Sequence, residues 1–160
     1  MSDRRRVEWP TLLLLGLTYA VWAGATTWLA GVSLWVAVPV AAVAIALHSS
    51  LSHEMIHGHP FADARLNAAL VAPALALVVP YLRFRDTHLA HHRDSRLTDP
   101  YDDPESNFWD PAVWDRLAPW QKRVLDWNNT LLGRLLLGPL LAQVTFMRWD
   151  LAAIRRREPG

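Results

Sequence analysis

The sequence predicts an all-α membrane protein, with two N-terminal transmembrane helices followed by cytoplasmic and interfacial helices that carry two histidine clusters. Three observations lead there. Two apolar runs of near-membrane length open the chain, and both are free of charged residues. All seven histidines lie between His48 and His92. The remaining apolar stretches are short or interrupted by proline, glycine and arginine, so they suit a membrane surface better than its interior. The apolar content of 52% is masked in the mean hydropathy of +0.08 by charged segments between the runs.

In chain order, residues 1–9 form a cytoplasmic tail. Arg4, Arg5 and Arg6 place it inside by the positive-inside rule. The run over 10–30 is about 21 residues, roughly 31 Å as a helix and enough to span a bilayer, whereas a signal-peptide core is only about 7–15 residues. Trp9 and Trp28 stand near its ends, where interfacial tryptophans belong. Gly31 permits a turn, and the second transmembrane helix, 32–51, brings the chain back to the cytoplasmic side. Pro39 is expected to kink it.

Residues 53–110 form the histidine-cluster region. His53 and His57 are four apart in an HExxH pattern, so a helix presents both to one point. Gly58–Pro60 is expected to end that helix. His88, His91 and His92 form HxxHH and fall within an arc of about 100°. Imidazole is the commonest metal-ligating side chain, so two one-sided sets point to metal. His48 and His59 are further candidates. His48 lies roughly 140° around the helix from His53, equally suited to bonding a neighbour. The segment Leu66–Leu82 must not cross the membrane if both sets are to meet, so it is expected to be a helix or broken helix at the interface. Asp99–Glu105 is acidic and proline-broken and reads as a loop. Residues 111–157 are expected to be interfacial or shallow membrane helices: an amphipathic helix within Asp110–Asp126, then a non-spanning apolar stretch, Thr130–Met147.

Around the histidines, Glu54, Asp86 and Asp103 are candidates for orienting ligand imidazoles, as are Asp94, Asp99, Asp102 and Glu105, although loop solvation explains most of these acids. Arg83, Arg85, Arg93 and Arg96 suit docking of an electron donor or an anionic headgroup, and equally plain membrane anchoring. Without cysteine, thiolate-ligated zinc and iron–sulfur clusters are excluded. The net charge of +1 and the lack of a long basic block argue against nucleic acid.

HEMIHGHP (His53–Pro60), HLAHH (His88–His92) and the following DPYDDPES together resemble the membrane fatty acid desaturase and hydroxylase superfamily. The order of the motifs, their spacing and the two preceding helices agree over roughly residues 10–110. The resemblance implies an oxidoreductase with a histidine-ligated di-iron centre at the cytoplasmic face. It would use dioxygen and electrons from a ferredoxin-like or cytochrome-like donor on acyl or alkyl chains. The family's first box falls on His53 and His57, its second on His88, His91 and His92. A third box, usually another HxxHH, has no counterpart here, since no histidine follows His92. The chain is therefore expected to be the N-terminal part of a desaturase, holding one iron, two incompletely, or none, with a separate chain as one conceivable source of the third box. Two other readings stand beside this: a membrane zinc hydrolase of HExxH type with Glu54 as base, and a non-catalytic metal-binding half-chain.

Overall fold

The computed structural model describes residues 7–75, 79–93, 96–103 and 105–157. Among them the structure is helical, without strands, and it forms two compact units, 1–106 and 107–160.

The first unit is built on an antiparallel helical hairpin. Helix α1 (Trp9–Gly24) starts with Pro10 in its first turn, where a missing N–H costs no hydrogen bond. It continues through a π-helical turn, Ala25–Leu29, into α2 (Ala30–Val32). The widened turn coincides with back-bonding threonines. The Thr26 and Thr27 hydroxyls donate to the Trp22 and Ala23 carbonyls at 2.9 and 2.6 Å, competing with the backbone ladder. Ser33, in extended conformation, separates α2 from α3 (Leu34–Ile56), which carries Pro39 inside it.

The two long helical stretches, Trp9–Val32 and Leu34–Ile56, span 24 and 23 residues and are apolar enough to cross a membrane. Their packing is compatible with a membrane hairpin. Ala25, Ala37 and Ala44 are buried, so the backbones approach closely through small residues. Leu13, Leu17, Trp28, Trp35 and Val43 point outward, which in water would be an aggregation surface and in lipid is a solvated one. The hairpin closes beside the histidines. The Glu8 N–H donates to the Pro60 carbonyl (3.2 Å), and the Glu8 carboxylate pairs with His59 Nδ1 (2.8 Å). The start of α1 and the HExxH motif therefore share one end of the hairpin.

The second long helix does not stop at residue 51. Neither proline nor glycine lies between residue 51 and Gly58, whose φ of +89° turns the chain, so His53 lies in the last turn of α3 and His57 caps it. Helix α4 (Ala64–Val71) begins with Asp63 accepting from the backbone N–H groups of Arg65 and Leu66. The described part of the expected broken helix over Leu66–Leu82 comprises the end of α4, non-helical residues 72–75 and 79–80 that include its two prolines, and the start of α5 (Tyr81–Arg93). The two helices α3 and α5 present histidines to one another. The core beneath consists of Leu15, Leu51, Met55, Val71 and Tyr81.

The described residues of the second unit form four helices. Instead of one helix over Asp110–Asp126 there are two, α6 (Pro111–Arg116) and α7 (Pro119–Asn128). Pro119 forces the preceding Ala118 out of the helical region, to ψ 150°. The Thr130–Met147 stretch also divides, into α8 (Leu131–Leu136) and α9 (Gly138–Arg156), and α9 runs well past Met147. Gly133 is sterically required, since a Cβ there would lie 1.9 Å from the Trp127 carbonyl oxygen.

Candidate metal centre

Four histidines meet. His53 and His57 come from the end of α3, and His88 and His92 from one face of α5, four residues apart. One ring nitrogen of each lies within 4.8 Å of all the others. The His57 and His88 Nε2 atoms are 3.2 Å apart, and those of His88 and His92 are 2.9 Å apart. The His53 ring packs edge-on against His57 and His88, at centroid distances of 4.7 and 4.5 Å. His88 is buried at the centre, while His57 and His92 face outward.

Carboxylates hold the other sides of the rings. Glu105 Oε1 lies 3.0 Å from His88 Nδ1, and Asp103 Oδ1 lies 2.7 Å from His91 Nδ1. Each such bond favours a proton on Nδ1 and leaves the Nε2 lone pair available, the arrangement found behind metal-ligating imidazoles. Asp103 is itself buried and accepts from the Thr98 and Glu105 backbone N–H groups. Burial opposes its ionisation, but those two donors and the His91 ring outweigh burial and hold its pKa below the ordinary carboxylate value. The Asp103 hydrogen bond, against some desolvation, pushes the His91 pKa up. Desolvation, reinforced by His53, His88 and His92, lowers the His57 pKa and favours the neutral imidazole that a metal requires.

The donor set fits a metal ion. With metal–nitrogen bonds of about 2.1 Å, neighbouring donors sit about 3.0 Å apart in an octahedral shell and about 3.4 Å apart in a tetrahedral one. The observed 2.9 and 3.2 Å fall at this spacing.

The other candidates lie elsewhere. His91 stands beside the group, its ring 6.1 Å from that of His88, and is not among the four converging residues. His48 is buried inside the hairpin with Nε2 3.0 Å from the Tyr19 hydroxyl, which also donates to the Leu70 carbonyl at 2.8 Å. His59 pairs with Glu8. Glu54 approaches His53 Nδ1 at 3.5 Å and is exposed. Asp86 turns to its neighbour Arg85, Asp99 caps its own turn at Tyr101 and Asp102, and Asp102 pairs with Arg96. Asp94 lies outside the described residues.

Sequence reasoning missed Asn67. Fully buried, it accepts from the Phe61 N–H and donates to the Phe61 and Met55 carbonyls, bracing the turn that follows the first histidine pair. Its one sequence signal is a lone amide within an apolar stretch.

A family model, fatty acid desaturase, matches residues 26–159 and takes in both histidine pairs and their carboxylates. The chain belongs to the fatty acid desaturase family. Desaturase-family proteins are generally oxidoreductases, usually bind iron, and work on lipids in a membrane context. The two apolar helices and the four-histidine cluster of this family member agree with that setting. Comparison with curated proteins and with solved structures found no match.

Proposed function

We propose that this desaturase-family chain is an iron-dependent oxidoreductase module acting on acyl or alkyl chains at the cytoplasmic face of a membrane. The observation that carries the reading is the convergence of the His57, His88 and His92 Nε2 atoms from two helices on one end of an apolar hairpin. Bound iron would supply dioxygen activation and the two-electron oxidation of an unactivated C–H bond. The chain's own residues do the rest. His53, His57, His88 and His92 would hold the metal, and Glu105 favours a proton on Nδ1 of His88, whose Nε2 faces the cluster, while Asp103 does the same for the neighbouring His91. The apolar hairpin sets the cluster beside lipid, from which an acyl chain arrives. A ferredoxin-like or cytochrome-like donor would deliver electrons. The cytoplasmic placement rests on Arg4–Arg6 together with the Glu8–Pro60 contact, which ties the cluster to the side of the N-terminus.

The four converging nitrogens suit one ion. The two irons expected for the family would need further donors, and His91, whose ring lies 5.7 Å from that of His92, is one candidate. The zinc-hydrolase reading is less well supported. Four imidazoles fill a tetrahedral zinc shell, whereas catalytic zinc keeps a position open, and the same four leave a six-coordinate ion two free positions.

Metal analysis of the purified, lipid-embedded chain tests this. Iron is expected, and it should disappear when His57 and His92 are both changed to Ala. Stoichiometric zinc without iron, or iron retained in the double variant, would overturn the reading.

A further inference from the structure

The second unit cannot cover its own apolar side chains. None of its large apolar residues is buried, and in α9 Leu140, Val144, Met147, Leu151 and Ile154 are between 46% and 71% exposed. At about 100° per residue these five fall within an arc of about 80°, a continuous stripe along the helix. Arg148 and Arg155 lie about 60–80° from its centre, close enough to lay their methylene stems along its edge and lift their charges out of an apolar layer. The leucines of α8 and Trp120 of α7 are exposed as well. Residues 107–160 carry eight Lys and Arg against five Asp and Glu, while residues 1–106 carry eight against ten. The positive excess of the molecule is thus confined to the unit with the uncovered apolar surface.

We propose that α9 lies in the plane of an anionic lipid surface, with the Leu140–Ile154 stripe below the headgroups and Arg148 and Arg155 paired with lipid phosphates or carboxylates. Length alone permits a crossing, for 19 residues reach about 28 Å. Composition argues against it. Arg148 and Asp150 stand within the helix, and among the described residues only the two hairpin stretches are apolar enough to span. A basic helix with a continuous apolar stripe is the kind that binds in the interface. A protein partner would explain the stripe but not the cationic excess beside it, which complements acidic headgroups.

The full chain has no cysteine, so single-cysteine spin labels report unique positions. In nanodiscs containing anionic lipid, labels at Leu140→Cys, Met147→Cys and Ile154→Cys should be accessible to oxygen, shielded from a water-soluble nickel complex, and similar in depth. A label at Trp149→Cys, about 180° from the stripe, should show the reverse. With Arg148→Gln and Arg155→Gln, or in purely zwitterionic lipid, the docked population should fall about fivefold per lost charge contact. Depth that changes steadily from residue 140 to 154 would show a crossing and overturn the proposal. Labels shielded from both reagents would show a protein cover, such as a second copy, and overturn it too. Docking indifferent to lipid charge would overturn the anionic assignment.

Discussion

The two histidine pairs supply the same chemistry from differently supported helices. The first pair ends a membrane-length helix. It is held from below by the hairpin core, and from behind by Asn67 and by the Glu8–His59 and Glu8–Pro60 contacts. The second pair sits on a 13-residue helix, on which Glu105 of the following segment steadies His88 and Asp103 steadies the adjacent His91. Packing positions one half of the centre and charge positions the other. The first half should therefore fail through stability, the second through protonation and metal affinity.

The largest effect is expected at the point where the halves join. His88 alone touches both His57 and His92 through Nε2. His88→Ala should weaken iron binding by more than the roughly 10–100-fold that loss of an outer-sphere partner brings, as read by metal competition. Retention of near-normal affinity would mean that the two pairs bind separately.

Glu105→Gln should cost roughly 10–100-fold in metal affinity while leaving thermal stability of the metal-free chain almost unchanged. Asn67→Ala should show the opposite pattern. Leaving the Phe61 N–H and two carbonyls without their buried partner costs about 1–3 kcal/mol of stability, visible in denaturant unfolding in a mild detergent, with metal affinity per folded chain preserved. If Asn67→Ala lowers affinity and Glu105→Gln lowers stability, the division between packing and charge is wrong.

A smaller, pH-dependent effect should appear in the metal-free chain at the Asp103–His91 pair. The lowered Asp103 pKa gives stability that is present above the ordinary carboxylate value and lost as pH falls through the folded value. The raised His91 pKa gives stability that is present below the ordinary imidazole value and lost as pH rises through the folded one. Protection of the Thr98 and Glu105 amides from hydrogen exchange should peak between about pH 4 and pH 6.5, and Asp103→Asn should flatten that profile. The smallest change is expected for Glu54→Gln. The carboxylate is exposed and 3.5 Å from His53, so iron content should shift by less than about threefold. A loss as large as that of His88→Ala would revive the zinc-hydrolase role for this glutamate.

Much of the site was legible because helix periodicity is local. The i, i+4 spacing of His53 and His57, and the HxxHH spacing of His88, His91 and His92, placed each set on one face before any packing was known. The carboxylate partners were far less legible. Asp86 is two residues from His88 yet turns to Arg85, while Glu105, 17 residues away, reaches the His88 ring. His48 was separable from the ligands only by its rotation about α3, and its partner Tyr19 lies on another helix.

By itself the sequence determined the two apolar spans and the one-sided histidine sets, which follow from composition and from 3.6-residue periodicity within single helices, and its motifs carried the resemblance to the family. Only the tertiary structure decided that His53, His57, His88 and His92 converge while His91 stands beside them, and that Asp103 and Glu105 supply the bonds behind the rings. Those outcomes depend on how α5 is rotated against α3 and on where the 96–106 loop folds back. Both arise from contacts between residues distant in the chain, which no local pattern encodes.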